Sequence, residues 1–337
     1  MFKYLFRNII FFSTIFTFVV VVVGAFVRLT DAGLGCPDWP GCYGKVTPKH
    51  AAENIAKAVA EQGGTHGPVS HQKAWHEMVH RYLAGTLGLL ILGITVMAWW
   101  QRVQLGAFAP SPWLPSTLLL LVILQAALGM WTVTLLLKPV IVTLHLLGGM
   151  ATLALLTWLA LRQLQFHDST AIVSVNRLQF WAALGLALLV AQIALGGWVS
   201  TNYAALACID LPTCHGEWAP QMDFQHGFQL VRELGQTAAG DKLSYDALTA
   251  IHWTHRAGAA VVTLYLAILA FAALRVARLR GIAVTLGVLL TFQVVLGVSN
   301  ILTGLNLAVA VGHNAGAALL LVVLVVLNFA LSDTPRP

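Results

Sequence analysis

In eight stretches (9–27, 82–101, 113–137, 139–161, 178–207, 257–274, 281–301 and 305–331) this chain carries no Asp, Glu, Lys or Arg. About 20 apolar residues carry an α-helix across a ~30 Å hydrocarbon core, and each stretch is of that order. The composition agrees. Only 9% of the 337 residues are charged, where a soluble domain has about a quarter. The expected fold is therefore an all-α polytopic membrane protein of eight transmembrane helices. The opening segment, MFKYLFRNIIFF, has the charged start of a signal peptide, but its apolar run is too long for one and a later segment repeats it, so it is read as the first span.

The formal net charge of +6 invites a nucleic-acid reading, which the placement of the charges removes. Eight spans put both termini on one side. With Lys3 and Arg7 inside, Arg102, Arg162, Arg177, Arg275, Arg278, Arg280 and Arg336 fall inside too, opposed only by Asp168 and Asp333. That is the positive-inside pattern of a membrane protein with cytoplasmic termini. The excess charge orients the chain and calls for no nucleic acid.

The long loops on the other side hold all four cysteines, Cys36 with Cys42 and Cys208 with Cys214, each pair spaced C-x5-C. Outside the cytoplasm each pair is expected to close a local disulfide. A simple loop staple is sufficient reason for either bond.

The pairs belong to a larger repeat. GAFVRLTDAGLGCPDWPGC (24–42) superposes on GGWVSTNYAALACIDLPTC (196–214), VHR (79–81) on THR (254–256), and QAALG (125–129) on QVVLG (293–297). His145 meets His313 at the same offset as this last pair. The chain reads as two halves, 1–168 and 169–337, each a four-helix bundle, and an even helix number per half makes the repeats parallel. Between spans 1 and 2, and again between 5 and 6, lie polar loops far beyond the usual connection length. KHAAENIAKAVAEQGG in the first and FQLVRELGQTAAGDKL in the second are candidate amphipathic surface helices.

Of the twelve histidines, His80, His145, His255 and His313 stand apart, one near the outer end of spans 2, 4, 6 and 8. One intramembrane histidine is commonly a hydrogen-bonded helix contact. Four at repeat-equivalent positions and one depth point to ligands, with haem iron, zinc or copper as the candidates. Small residues one turn further on (Ala84, Gly149, Ala259, Ala317) suit a porphyrin lying against the backbone, or simply close helix packing. Trp75, Trp198 and Trp253 are candidates to line such pockets or to belong to the interfacial belt. Arg28, Arg81 and Arg256 are candidate propionate partners, with snorkelling as the alternative. Two bis-histidine haem sites is the economical reading. The halves differ at one slot: Glu77, three residues before His80, has His252 as its counterpart. A carboxylate there is a candidate proton carrier or fixed negative charge, or a helix-start residue favoured by the dipole.

These residues resemble the haem A synthase family over nearly all of 15–330: GAFVRLTDAGLGCPDWPGCYG, Glu77-x-x-His80-Arg81, His145, His255-Arg256, His313 and the two Cys pairs. The resemblance implies an oxidoreductase that oxidises a methyl group of haem O to the formyl group of haem A through a hydroxymethyl intermediate, haem I, for use by a terminal oxidase. It implies that His80 and His145 hold the substrate haem, that His255 and His313 hold a haem b cofactor, and that Glu77 is the functional carboxylate. The implied partners are the haem O synthase (protohaem farnesyltransferase) that delivers substrate, an electron donor, and the lipid bilayer. Self-association into a homo-oligomer is left open, as are the roles of His50, His66, His71, His76 and His252. The rival readings are a bis-histidine cytochrome b that only relays electrons and a parallel-repeat transporter.

Overall fold

The computed structural model describes residues 2–64, 67–106, 110–164 and 176–332; His66, Asp168, Asp333 and Arg336 lie outside them. Among the described residues ten α-helices follow in order: α1 Phe2–Leu29, α2 Ala52–Glu61, α3 His71–Leu105, α4 Trp113–Thr134, α5 Pro139–Gln163, α6 Asn176–Thr201, α7 Phe224–Gly227, α8 Tyr245–Leu274, α9 Arg280–Leu302 and α10 Leu307–Leu331. Eight of them, all but α2 and α7, are long and apolar enough to span a membrane. Among the described residues the only β pairing is three isolated bridges.

Two spans are longer than hydropathy suggests. Helix α3 begins at His71 and α8 at Tyr245, so their first turns are polar. Each is started by a serine cap, Ser70 accepting from the Lys73 N–H and Ser244 from the Ala247 N–H. A cap of this kind satisfies a backbone donor that would otherwise be left open at a helix start. At 35 residues, α3 measures about 52 Å and overshoots a ~30 Å core. The connecting segments are correspondingly shorter, 30–70 and 202–244.

Helix α1 packs on α3 and α5, and α4 on α3 and α5; likewise α6 packs on α8 and α10, and α9 on α8 and α10. Further contacts join α5 to α6 and α10, and α1 to α10. One apolar core lies among α1, α3, α4 and α5, built on Ile10, Ile91, Ile94, Leu118 and Leu156. A second gathers Leu266, Leu286, Leu321, Leu324 and Leu327, with Met150 and Leu153 contributed by α5. Large apolar side chains also point outwards all round, among them Ile15, Leu89, Leu120, Leu264 and Val288. Such a surface is stable only against lipid.

The two cysteine loops are built alike. Cys36–Cys42 and Cys208–Cys214 are disulfide-bonded. Asp38 accepts the Tyr43 and Gly44 N–H groups at 2.5 and 2.7 Å, and Asp210 those of His215 and Gly216 at 2.7 and 3.0 Å. The Thr213 hydroxyl, together with these N–H groups, holds the Asp210 carboxyl well below the usual carboxylate range. A depressed carboxyl pKa contributes stability that is lost only as pH falls through the folded value, so the second loop keeps this support throughout the mildly acid range. Tyr43 and Gly44 both take positive φ (51° and 71°), the pairing a type I′ turn requires.

The second loop departs from the sequence expectation. Ala52–Glu61 forms the amphipathic helix α2, but FQLVRELGQTAAGDKL forms none. Buried Arg232 donates to the carbonyls of Gln229 and Gln236 and to Asn202 Oδ1, and Gly235 and Gly240 take positive φ. The guanidinium thus organises a turn where local propensity favours a helix.

Thiol labelling tests the cysteine loops. Without reductant, no cysteine should react in native membranes. Replacing one pair by serine should cost about 2 kcal/mol, because the closed loop is short. Four freely reactive thiols would refute the pairing.

Candidate functional site

His80 and His255 lie two to three turns into α3 and α8, and His145 and His313 are each the seventh residue of α5 and α10. His80 and His145 are close enough to interact electrostatically, as are His255 and His313. Each ring is packed against a glycine of an antiparallel neighbour. A Cβ added at Gly24 on α1 would lie 2.9 Å from His80 Cε1, and one at Gly129 on α4 3.3 Å from His145 Cε1. One at Gly196 on α6 would lie 3.1 Å from His255 Cε1, and one at Gly297 on α9 3.1 Å from His313 Cε1. Any other residue would push the ring, so the four glycines set where the imidazoles stand. Sequence reasoning missed them as site residues, although the internal repeat pairs Gly24 with Gly196 and Gly129 with Gly297. The small residues named instead lie on the histidines' own helices, Ala84 exposed and Gly149, Ala259 and Ala317 partly buried.

Imidazole pairs of this kind fit a haem. The Nδ1 atoms of His80, His145 and His313 are buried without a hydrogen-bond partner, a costly state for a polar atom. Among the described residues no three His, Cys, Asp or Glu side chains gather as a metal site. Zinc needs three or four protein ligands; haem iron needs only two axial ones.

Glu77 is buried beside the first cysteine loop. Its Oε2 accepts the Cys36 N–H at 2.9 Å and its Oε1 pairs with Arg81. That placement excludes the solvent-exposed helix-start alternative. At the equivalent slot His252, also buried, accepts the Cys208 N–H through Nδ1 at 3.0 Å. The two halves therefore use the same slot to hold the first cysteine of each loop, with a carboxylate in one and an imidazole in the other. The next turn repeats the scheme. Arg81 donates to the carbonyls of Asp38 and Gly41 at 2.7 and 2.6 Å, and Arg256 to those of Pro212 and Thr213 at 2.9 and 3.0 Å. Arg28 donates to the Ser200 carbonyl at 2.6 Å, pairs with Asp31, and stacks on Tyr203, whose hydroxyl donates to Asp31 at 2.8 Å. Of the three candidate propionate partners, Arg256 keeps a buried Nη1 without a hydrogen-bond partner.

The remaining candidates are dispersed. Trp198 and Trp253 donate to the carbonyls of Gly227 and Trp218, so they anchor the second loop, and Trp75 meets His71 edge-on. His50 bonds Thr47. His76 meets the edge of Phe26 and lines a polar pocket of about 410 Å³ with Thr30, Ser70, Gln72 and Lys73. An apolar groove of about 620 Å³ runs between α8 and α9, past Phe271 and Val288. Neither space is lined by the four histidines.

Comparison with known proteins adds an independent line. The family model COX15-CtaA, described as cytochrome oxidase assembly protein, matches residues 7–325. A heme A synthase of Shewanella oneidensis is 41% identical over 95% of this chain and 94% of that protein. A heme A synthase of Chelativorans sp. is 30% identical over 93% and 85% respectively, and one of Rhizorhabdus wittichii 29% over 96% and 92%. With its eight spans and these matches along nearly its whole length, the chain belongs to the COX15-CtaA family of cytochrome oxidase assembly proteins.

Proposed function

We propose that this protein is a haem A synthase, an oxidoreductase that converts the methyl group of haem O to the formyl group of haem A through haem I. The observation that carries the reading is the set of two histidine pairs, each ring packed against a glycine of the neighbouring helix. The chain is read as two parallel-repeat bundles, 1–168 and 169–337. Arg28 bonds the carbonyl of Ser200, its own repeat counterpart, and Tyr203 bonds Asp31, its counterpart. Residues that touch their own equivalents lie near a repeat axis, which supports that division.

In this reading His80 and His145 hold the substrate haem O in the N-terminal half, and His255 and His313 hold a haem b in the C-terminal half. When bound, haem b supplies one-electron transfer. Arg256, with its unpaired Nη1, is the best-suited propionate partner. Glu77 contributes a negative charge fixed by the Cys36 N–H and Arg81. Held by these two partners, the carboxylate is placed to act as a charge opposite developing positive charge. In this reading the basic loops at the end remote from the histidines, and both termini with them, face the cytoplasm of a bacterial inner membrane. The haem O synthase and an electron donor are the partners this chemistry requires.

The pigment decides. Haem extracted from the purified protein and identified by mass should be haem b together with haem O, I or A. Haem b alone would replace this reading with an electron-relay cytochrome, a reading that the relatives' names do not favour.

A further inference from the structure

The seam between α1 and α3 leads outward from His80. Because the two helices run antiparallel, Gly24 lies against the His80 ring and Phe26 meets the His76 ring, 4.9 Å between centroids. At 1.5 Å per residue, His76 and Lys73 stand about 6 and 10 Å beyond His80 along α3. There the seam opens into the polar pocket of about 410 Å³ lined by Thr30, Ser70, Gln72, Lys73 and His76. Each of these side chains can donate a hydrogen bond, Lys73 is a cation, and none is a carboxylate.

The internal repeat shows that this opening is particular to the N-terminal half. Ala247, Leu248 and Ile251 stand where α3 has Gln72, Lys73 and His76, and Trp198 and Asn202 stand where α1 has Phe26 and Thr30. In the C-terminal half α7 closes the seam. A Cβ added at Gly227 would lie 2.8 Å from the Ala247 carbonyl oxygen and 3.5 Å from Ile251 Cγ1. Trp198, whose Nε1 donates to the Gly227 carbonyl, and Ile251 are both buried there. The buried Arg232 guanidinium occupies the remaining corner, donating to Asn202 Oδ1 at 2.6 Å. The first loop packs differently: Ala51 and Ile55, at α2, gather with Ala74 and Met78, on another side of α3.

We propose that this pocket binds the carboxylates of the haem held by His80. The proposal rests on the haem assignment given above. A haem carries its two carboxylates on one edge, and charge is costly in hydrocarbon, so that edge belongs at the outer mouth of the site. The two arginines of this half are committed elsewhere. Arg81 bonds Glu77 and the loop carbonyls, and Arg28 bonds Asp31 and the Ser200 carbonyl. Lys73 uses one of its three donors on the Gly67 carbonyl, at 3.2 Å. His76 has its Nδ1 buried without a hydrogen-bond partner, which leaves Nε2 as the ring nitrogen for a ligand. An ammonium backed by an imidazole, a hydroxyl and an amide is a suitable setting for a carboxylate.

The test titrates purified, detergent-solubilised protein carrying its haem b with haem O and, separately, with haem O dimethyl ester, which keeps the ring and loses both charges. Lys73→Met and His76→Phe should each weaken haem O binding by roughly tenfold or more, the worth of a hydrogen bond to a charged group. Neither should change binding of the ester, and haem b content should stay at the wild-type level. Lys73→Arg should retain the affinity. Gln72→Glu, at an exposed position where folding is not at stake, should weaken haem O binding alone, by placing a negative charge in the pocket. Wild-type affinity for haem O in both Lys73→Met and Gln72→Glu would overturn the proposal, as would an equal loss for haem O and its ester. Unchanged haem O binding with less co-purifying anionic phospholipid in Lys73→Met would assign the pocket to a lipid headgroup instead. Failure of the wild-type protein to take up haem O at all would sink the underlying haem reading, and the proposal with it.

Discussion

His255→Ala and His313→Ala should each abolish the low-spin haem b spectrum of the purified protein. A bis-histidine iron stays low-spin only while both axial nitrogens are present. Among the described residues no further His, Cys, Asp or Glu joins His255 and His313 to form a metal cluster. Each alanine would also leave an empty ring space facing Gly196 or Gly297, which have no side chain to fill it. Haem occupancy should drop to a small fraction of wild type, while the eight helices, whose cores lie deeper among Leu266, Leu286 and Leu324, remain assembled. Absorbance of the reduced protein and helical circular dichroism, measured on the same samples, read the two effects separately. A full low-spin spectrum in both variants would remove these residues as ligands.

Much of the architecture was legible because hydropathy is a local property. The eight uncharged stretches correspond to the eight long helices, and the C-x5-C pairs are bonded in the loops between them. The misses have physical causes of two kinds. Where a polar segment is stabilised by a cap or by one guanidinium, local composition misleads. Ser70 starts α3 among polar residues, and Arg232 holds 229–236 in turns instead of the expected helix. Where a residue's role depends on a neighbouring helix, no periodicity shows it. Gly24, Gly129, Gly196 and Gly297 look like ordinary membrane-helix glycines until the rings opposite them are located. The internal repeat carried the missing signal, since it pairs these glycines just as it pairs the histidines. Glu77 was readable as unusual from its counterpart, but its bond to the Cys36 N–H was not.

That bond sharpens the expected outcome of exchanging Glu77 for Gln. The new side chain keeps an amide oxygen able to accept from Cys36, so the loop should stay closed and haem b should stay bound. What disappears is the negative charge, and Arg81 is left paired only with loop carbonyls. Removing a charge placed to stabilise a transition state commonly costs ~100-fold or more in rate. Membranes carrying the variant should therefore accumulate haem O or the hydroxymethyl intermediate, with little haem A. His252→Ala is the matched comparison, because His252 holds the Cys208 N–H in the same way. Losing that acceptor leaves a buried donor unpaired and costs about 1–3 kcal/mol locally, yet turnover should remain substantial, since no charge is lost. Only His252→Ala removes a loop acceptor, and only Glu77→Gln removes a carboxylate. Haem composition in the two sets of membranes thus separates loop anchoring from electrostatics. An equal collapse in both would mean that anchoring the loops is what the slot provides in each half. Wild-type haem A from Glu77→Gln would remove the carboxylate from the chemistry altogether.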